Sequence, residues 1–231
     1  MLRLRMSRVR VCALAVAMML TAITVSSPSA RAGLILGVTV EGVSSERSVD
    51  GRLAVNTING SGLSVGNHDS NLANMWLTEL NLSSNDPWII YYLGNNYNIA
   101  SLHLWNYNES GISNFQPNSD RGIKTATIFT SSTDTSPTWT SQGTFSFAKA
   151  FGSSTYAGED KTLAVSNVRL VKIQALTNWK GYSYPTSWPG GYQNDYNAVT
   201  GLSEIQFDGV LVPEPSTLLL LACGLIGLLA Y

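Results

Sequence analysis

Trp88–Lys124 reads WIIYYLGNNYNIASLHLWNYNESGISNFQPNSDRGIK, and its order of apolar, turn and polar residues decides the fold class. Trp88 to Leu93 is a nearly continuous apolar and aromatic run bounded by turn residues, which predicts a short strand buried on both faces. Gly94-Asn95-Asn96 supplies turn chemistry. Ser101 to Tyr107 then alternates, with Leu102 and Leu104 on one face and Ser101, His103 and Trp105 on the other. Asn106, Asn108 and Glu109 gather hydrogen-bonding groups around two aromatic rings. A guanidinium's planar donor fork matches a carboxylate, so Arg121 is expected to clamp this excursion through Glu109.

The same punctuation recurs outward from this stretch. Ala126 and Ile128 alternate with Thr125, Thr127 and Phe129; Phe145 and Phe147 with Thr144 and Ser146; Val171, Ile173 and Ala175 with Leu170, Lys172 and Gln174; Ile205 and Phe207 with Glu204, Gln206 and Asp208. Short alternating runs separated by Gly, Asn, Ser and Pro clusters predict an all-β, antiparallel sandwich over residues 33–211, read as one domain. Two loops stand out. Asn59 to Trp76 is rich in Gly and Asn and carries His68 and Asp69. Asn178 to Asn197 packs in Trp179, Tyr182, Tyr184, Trp188, Tyr192 and Tyr196 with few aliphatics. Those rings either cover the end of a core or face a ligand.

Charge narrows the function classes. Five of the 14 Lys and Arg precede Gly33, whereas all 15 Asp and Glu follow it, so the body is mildly acidic. Nucleic acid is therefore not an expected partner, because phosphate binding needs a basic face. The two cysteines, Cys12 and Cys223, both lie outside the body, which leaves it without a disulfide or a thiolate site.

The two ends read as addresses. Residues 1–32 place four arginines before an apolar run from Val11 to Val25. Ala30-Arg31-Ala32 follows, the small-residue pattern of a signal peptidase site, with cleavage expected before Gly33. At the other end, residues 212–231 place Pro213-Glu214-Pro215 before a Leu- and Gly-rich segment of 14 residues, shorter than the ~20 that span a bilayer comfortably. This end resembles the PEP-CTERM sorting signal. The resemblance implies an exosortase as partner, transient anchoring in the inner membrane of a Gram-negative bacterium by a short transmembrane helix, and later residence at the cell surface or outside. Such signals normally close with an arginine cluster. Here none precedes Tyr231, so truncation or weak insertion stays open.

The body resembles the coagulation factor 5/8 type C (discoidin-like) domain of the galactose-binding-like superfamily. The residues that carry the likeness are Asn59-Gly60-Ser61-Gly62-Leu63, Met75-Trp76-Leu77-Thr78, Trp105-Asn106-Tyr107-Asn108-Glu109, Arg121-Gly122-Ile123-Lys124, Asn178-Trp179 and Gly201-Leu202-Ser203-Glu204-Ile205. It implies an eight-stranded jelly-roll sandwich with ligands met by loops at one end, and glycans as the ligand of many members. It also implies a structural calcium (Ca2+), carried over to Asn59 and Glu204 with Ser61 as a further ligand. Asn59 stands where an Asp is usual, which lowers the expected affinity.

No serine in a nucleophile-elbow context accompanies His68 and Asp69, and no H-E-x-x-H or phosphate loop occurs, so no enzyme is expected. The leading expectation is an exported module binding exopolysaccharide or another surface glycan. His68, Trp179, Tyr182, Tyr184 and Trp188 are its candidate contacts. A purely structural matrix protein is the alternative, and a glycoside hydrolase with two convergent carboxylates ranks third.

Overall fold

A computed structural model describes residues 32–79, 87–113, 115–184, 198–213 and 223–228. The expected signal peptide, apart from Ala32, and Glu214-Pro215 of the sorting tripeptide lie outside the described residues. Ala32 is exposed just ahead of the first strand, and Pro213 is exposed just past the last. Of the C-terminal apolar segment, residues 223–228 are helical. No helix among the described residues is long and apolar enough to cross a membrane.

The strands are β1 (Gly33–Leu34), β2 (Thr39–Val43), β3 (Leu63–Ser64), β4 (Asn67–His68), β5 (Trp76–Leu77), β6 (Trp88–Asn106), β7 (Ile112–Ser113), β8 (Gln116–Pro117), β9 (Ile123–Ser131), β10 (Thr140–Ser146), β11 (Glu159–Asn178) and β12 (Gly201–Leu211). Eight of them join in one antiparallel network, in the order β1-β12-β6-β11-β9-β10 with β2 on β6 and β5 on β12, while β3-β4 and β7-β8 are separate small hairpins.

Here the structure corrects one expectation. Gly94-Asn95-Asn96 does not end a strand, because β6 runs 19 residues through it. β6 pairs with β11 from Trp88↔Gln174 to Leu104↔Glu159, with register shifts between Thr162 and Leu170. Gly94 (φ 82°), Ala164 (φ 50°) and Asn167 (φ 58°) supply left-handed backbone in that region. The ribbon therefore bends there. Its first half lies against β2 and β9, its second half against β12. A sheet that folds over itself in this way is a jelly-roll-like sandwich.

The inner faces meet in one apolar cluster that joins Ile89, Tyr91 and Leu93 to Leu102, Leu104, Ala126, Ile128, Val171, Ile173, Ile205 and Phe207. Trp88 and Tyr92 are half-buried on the outer side, where Lys172 sits 5.5 Å from the Trp88 ring and Arg169 5.5 Å from that of Tyr92. The first run is thus fully buried on one face and half-buried on the other, where a cation lies over each ring. Since the ribbon folds back, Trp88, Asn106, Glu159 and Asn178 come to the same end of the sandwich. The long loops gather there.

Candidate functional site

The Trp105–Glu109 segment organises this loop end, one residue per loop. Trp105 Nε1 donates to Gly66 O at 3.1 Å. Asn106 Nδ2 donates to Ile123 O (2.7 Å) and Ala148 O (2.8 Å). Gly122 lies against the same side chain: a Cβ there would fall 2.6 Å from Asn106 Oδ1, so only glycine fits. Asn108 Nδ2 donates to Asp69 O and Ser153 O, and its Oδ1 accepts from Gly152 N–H.

Glu109 is the most heavily engaged group. Its carboxylate accepts from Arg52 Nη1 (3.0 Å), Arg121 Nη1 (3.0 Å), the Tyr107 hydroxyl (2.6 Å) and Asn118 Nδ2 (3.2 Å). All of these side chains are buried. The expected clamp of Arg121 on Glu109 is present, and Arg52 is a second arm that sequence reasoning missed. Burial and the neighbouring Glu109 carboxylate push the Tyr107 hydroxyl well above its ordinary value, so it stays a donor. A cleft of ≈ 210 Å³ opens beside this network, lined by Arg47, Arg52, Glu109, Arg121, Ser113, Leu77 and Val199. Asp50 and Glu79 pair with Arg47 at 2.9 and 3.6 Å, so the cleft offers donors and acceptors rather than one sign of charge.

A second feature surrounds Glu204, one step along the outer face from Trp105. Glu204 Oε1 accepts from Gly60 N–H at 3.3 Å, while its Oε2 and the Ser61 Oγ are buried without a hydrogen-bond partner. Burial pushes the Glu204 carboxyl up to about 8. Asn59 Oδ1 accepts from Ser61 N–H at 2.8 Å, which closes the turn over it. Two orphaned buried oxygens, one of them a carboxylate oxygen, are the kind of donor an oxygen-ligated cation takes, with Glu204 as the charged ligand. Among the described residues no three His, Cys, Asp or Glu converge as metal ligands.

The aromatic candidates lie elsewhere than expected. Tyr184 is 6% exposed, and its hydroxyl donates to Ala198 O at 2.6 Å, so it caps the core. Tyr182 packs against the same core. Trp179 is half-buried, with Lys124 Nζ 5.1 Å from its ring centre. Trp188 lies outside the described residues. His68 is buried, because its backbone pairs with Tyr156 and turns the ring inward to Asp69 O at 2.9 Å. Of the candidate contacts, His68 and Tyr184 are thus buried, and Tyr182 and Trp179 are half-buried.

Among the described residues the exposed rings are Phe115 (103%) and Phe151 (62%), neither of which sequence reasoning singled out. Phe115 is a lone aromatic in a small, polar stretch, whereas Phe151 follows Phe145 and Phe147 and meets the Tyr156 ring edge-on at 5.4 Å between centres. Phe115 stands at the tip of the β7-β8 hairpin, two residues past cleft-lining Ser113. Phe151 precedes Gly152, which packs on Glu109 O.

No curated protein matches the sequence. Among solved structures, the chain is similar to the F5/8 type C domain of a Bacteroides fragilis protein (14% identity, TM-score 0.51, covering 79% of this chain and 99% of that one). It is similar to the same degree to CBM32-3 of a family 31 glycoside hydrolase from Clostridium perfringens (16% identity, TM-score 0.51, 79% and 97%). A Clostridium perfringens family 89 glycoside hydrolase also aligns (17% identity, TM-score 0.47, 78% of this chain), but the chain spans only 15% of that enzyme's length. The PEP-CTERM protein-sorting motif matches residues 211–231. The chain thus joins a β-sandwich of the F5/8 type C, discoidin-like fold to a C-terminal PEP-CTERM motif.

Proposed function

We propose that this protein is an exported, non-catalytic module that binds exopolysaccharide through the loop end of its sandwich. The observation that carries the reading is the pairing of a polar cleft with two exposed rings on the loops around it. Aromatic faces stack on the apolar faces of pyranose rings, and guanidinium and carboxylate groups hydrogen-bond hydroxyls. The name of CBM32-3, whose fold is similar, is in keeping with this. The C-terminal motif supports handling by an exosortase, with the tail anchored in the inner membrane before release to the cell surface of a Gram-negative bacterium. Glu204, Ser61 and Asn59 would hold a structural calcium, which would neutralise the buried carboxylate and stiffen the first loop.

A glycan array probed with the protein tests the reading. Binding to a subset of polysaccharides is expected. Phe115→Ala and Phe151→Ala should each weaken it about tenfold, the weight of one stacked ring. Silence across the array, with a control lectin working, sinks it. The burial of Tyr184 and the saturated Glu109 would then favour a matrix scaffold without a discrete ligand.

A further inference from the structure

β12 runs from the loop end of the sandwich to the opposite end. Leu202 pairs with Asn106, and Leu211 pairs with Tyr97 in the bend of β6. Val212 N–H then donates to Asn96 O at 2.8 Å, which pins the exit of the chain to that bend. β1 starts close by, since Gly33 pairs with Gly209. The residues before Gly33 and those after Pro213 are therefore attached at one end, and the loops that carry Phe115 and Phe151 stand at the other.

The bend end is braced and rich in amides. Asn96 Nδ2 donates to Ser132 O (3.0 Å) and Asn167 Oδ1 (2.8 Å), and Asn98 Oδ1 accepts from Asn167 N–H at 3.0 Å. Asp134, the carboxylate beside them, is paired with Arg169 at 3.1 Å. The body as a whole carries an excess of acid, and an anionic bilayer repels such faces within a Debye length of about 8–10 Å. An end covered by amides and one closed ion pair meets no such repulsion.

We propose that, while its tail is in the membrane, the sandwich stands on the bilayer by its bend end and holds its loop end outward. Only Glu214, Pro215, Ser216 and Thr217 separate Pro213 from the apolar stretch that begins at Leu218, a span of ~18 Å at most. Proline at 213 and 215 fixes φ and stiffens that link. From Leu211 back to Leu202, β12 climbs about 30 Å. The tether is thus shorter than the body it holds. The loop-end cleft faces away from lipid, so the anchored protein meets polysaccharide before its tail is cut. The inference rests on the anchored reading of the tail and is independent of glycan binding.

Lipid-borne quenching reads the orientation. The full chain, carrying Cys12→Ser and Cys223→Ser, is given a fluorophore at Asn95→Cys or at Phe115→Cys, both exposed positions. It is then reconstituted in phosphatidylcholine–phosphatidylglycerol vesicles with a nitroxide on the headgroup. The label at 95 should lose most of its fluorescence, whereas the label at 115 should keep the intensity it has without nitroxide. Should the change at 115 disturb folding, Val65→Cys, at the exposed tip of the β3-β4 hairpin, reports the same end. Equal loss at the two ends, or greater loss at the loop end, overturns the inference alone. A chain that does not co-float with the vesicles overturns the anchored reading and this inference with it.

Discussion

Two buried carboxylates with opposite surroundings give the sharpest predictions. Glu109 is surrounded by donors, so removing it takes a buried carboxylate from two guanidinium groups at once. Glu109→Ala should cost about 3–5 kcal/mol in urea unfolding, because breaking a buried ion pair from one side is strongly destabilising. Glu204 is the reverse case, since among the described residues only the Gly60 N–H reaches it. The folded chain holds that proton up to about pH 8, whereas the unfolded chain releases it near the ordinary value of 4.5. Between those values the folded state binds more protons, so stability falls as pH rises, and the loss is complete above about pH 8. Glu204→Gln should therefore raise the Tm in chelator above that pH and leave it unchanged in acid. A thermal scan at the two pH values checks this, and a lower Tm for the variant in alkali would refute it.

Among the elements, the β3-β4 hairpin carries visible strain. Its two-residue tip is Val65-Gly66, with φ 50° and 80°, and Val65 is 99% exposed. A β-branched residue is disfavoured in left-handed backbone, and such a turn prefers Asn-Gly. Val65→Asn should stabilise the protein by about 1 kcal/mol in chemical denaturation. Gly201 is the opposite kind of position. It opens β12 where a Cβ would collide with Trp76 O and lie 2.7 Å from the Tyr107 ring. Gly201→Ala should lower stability by at least ~2 kcal/mol, because the neighbour in the way is backbone. The same close approach explains the glycine in Arg121-Gly122, which backs onto Asn106. The Trp105–Glu109 segment marks the fold because its Trp105, Asn106, Asn108 and Glu109 side chains each fasten a different partner segment.

For the whole molecule, the bent β6–β11 ribbon makes one apolar cluster of both layers. Bound calcium would act on all of it through linkage: at about 100 times its Kd, a site at Glu204 should add about 2.7 kcal/mol. Differential scanning with calcium and with chelator checks this, and an unchanged Tm removes the site. The strand runs within β6 and β9–β12, the faces of β9, β11 and β12, the clamp on Glu109 and the terminal sorting motif were legible in sequence. Each depends on residues near in the chain or on a period of two. The single β6 strand was not, because Gly94-Asn95-Asn96 can close a turn or bend a ribbon, and only pairing with β11 chooses between them. Nor could the chain alone say which aromatics face water. Tyr182 and Tyr184 look like a binding surface in one dimension, yet Tyr184 is buried and Tyr182 packs half-buried against the core, while Phe115 and Phe151 look incidental and stand exposed. Local pattern sets which residues form strands; burial is decided by what other segments, distant in sequence, come to lie on top.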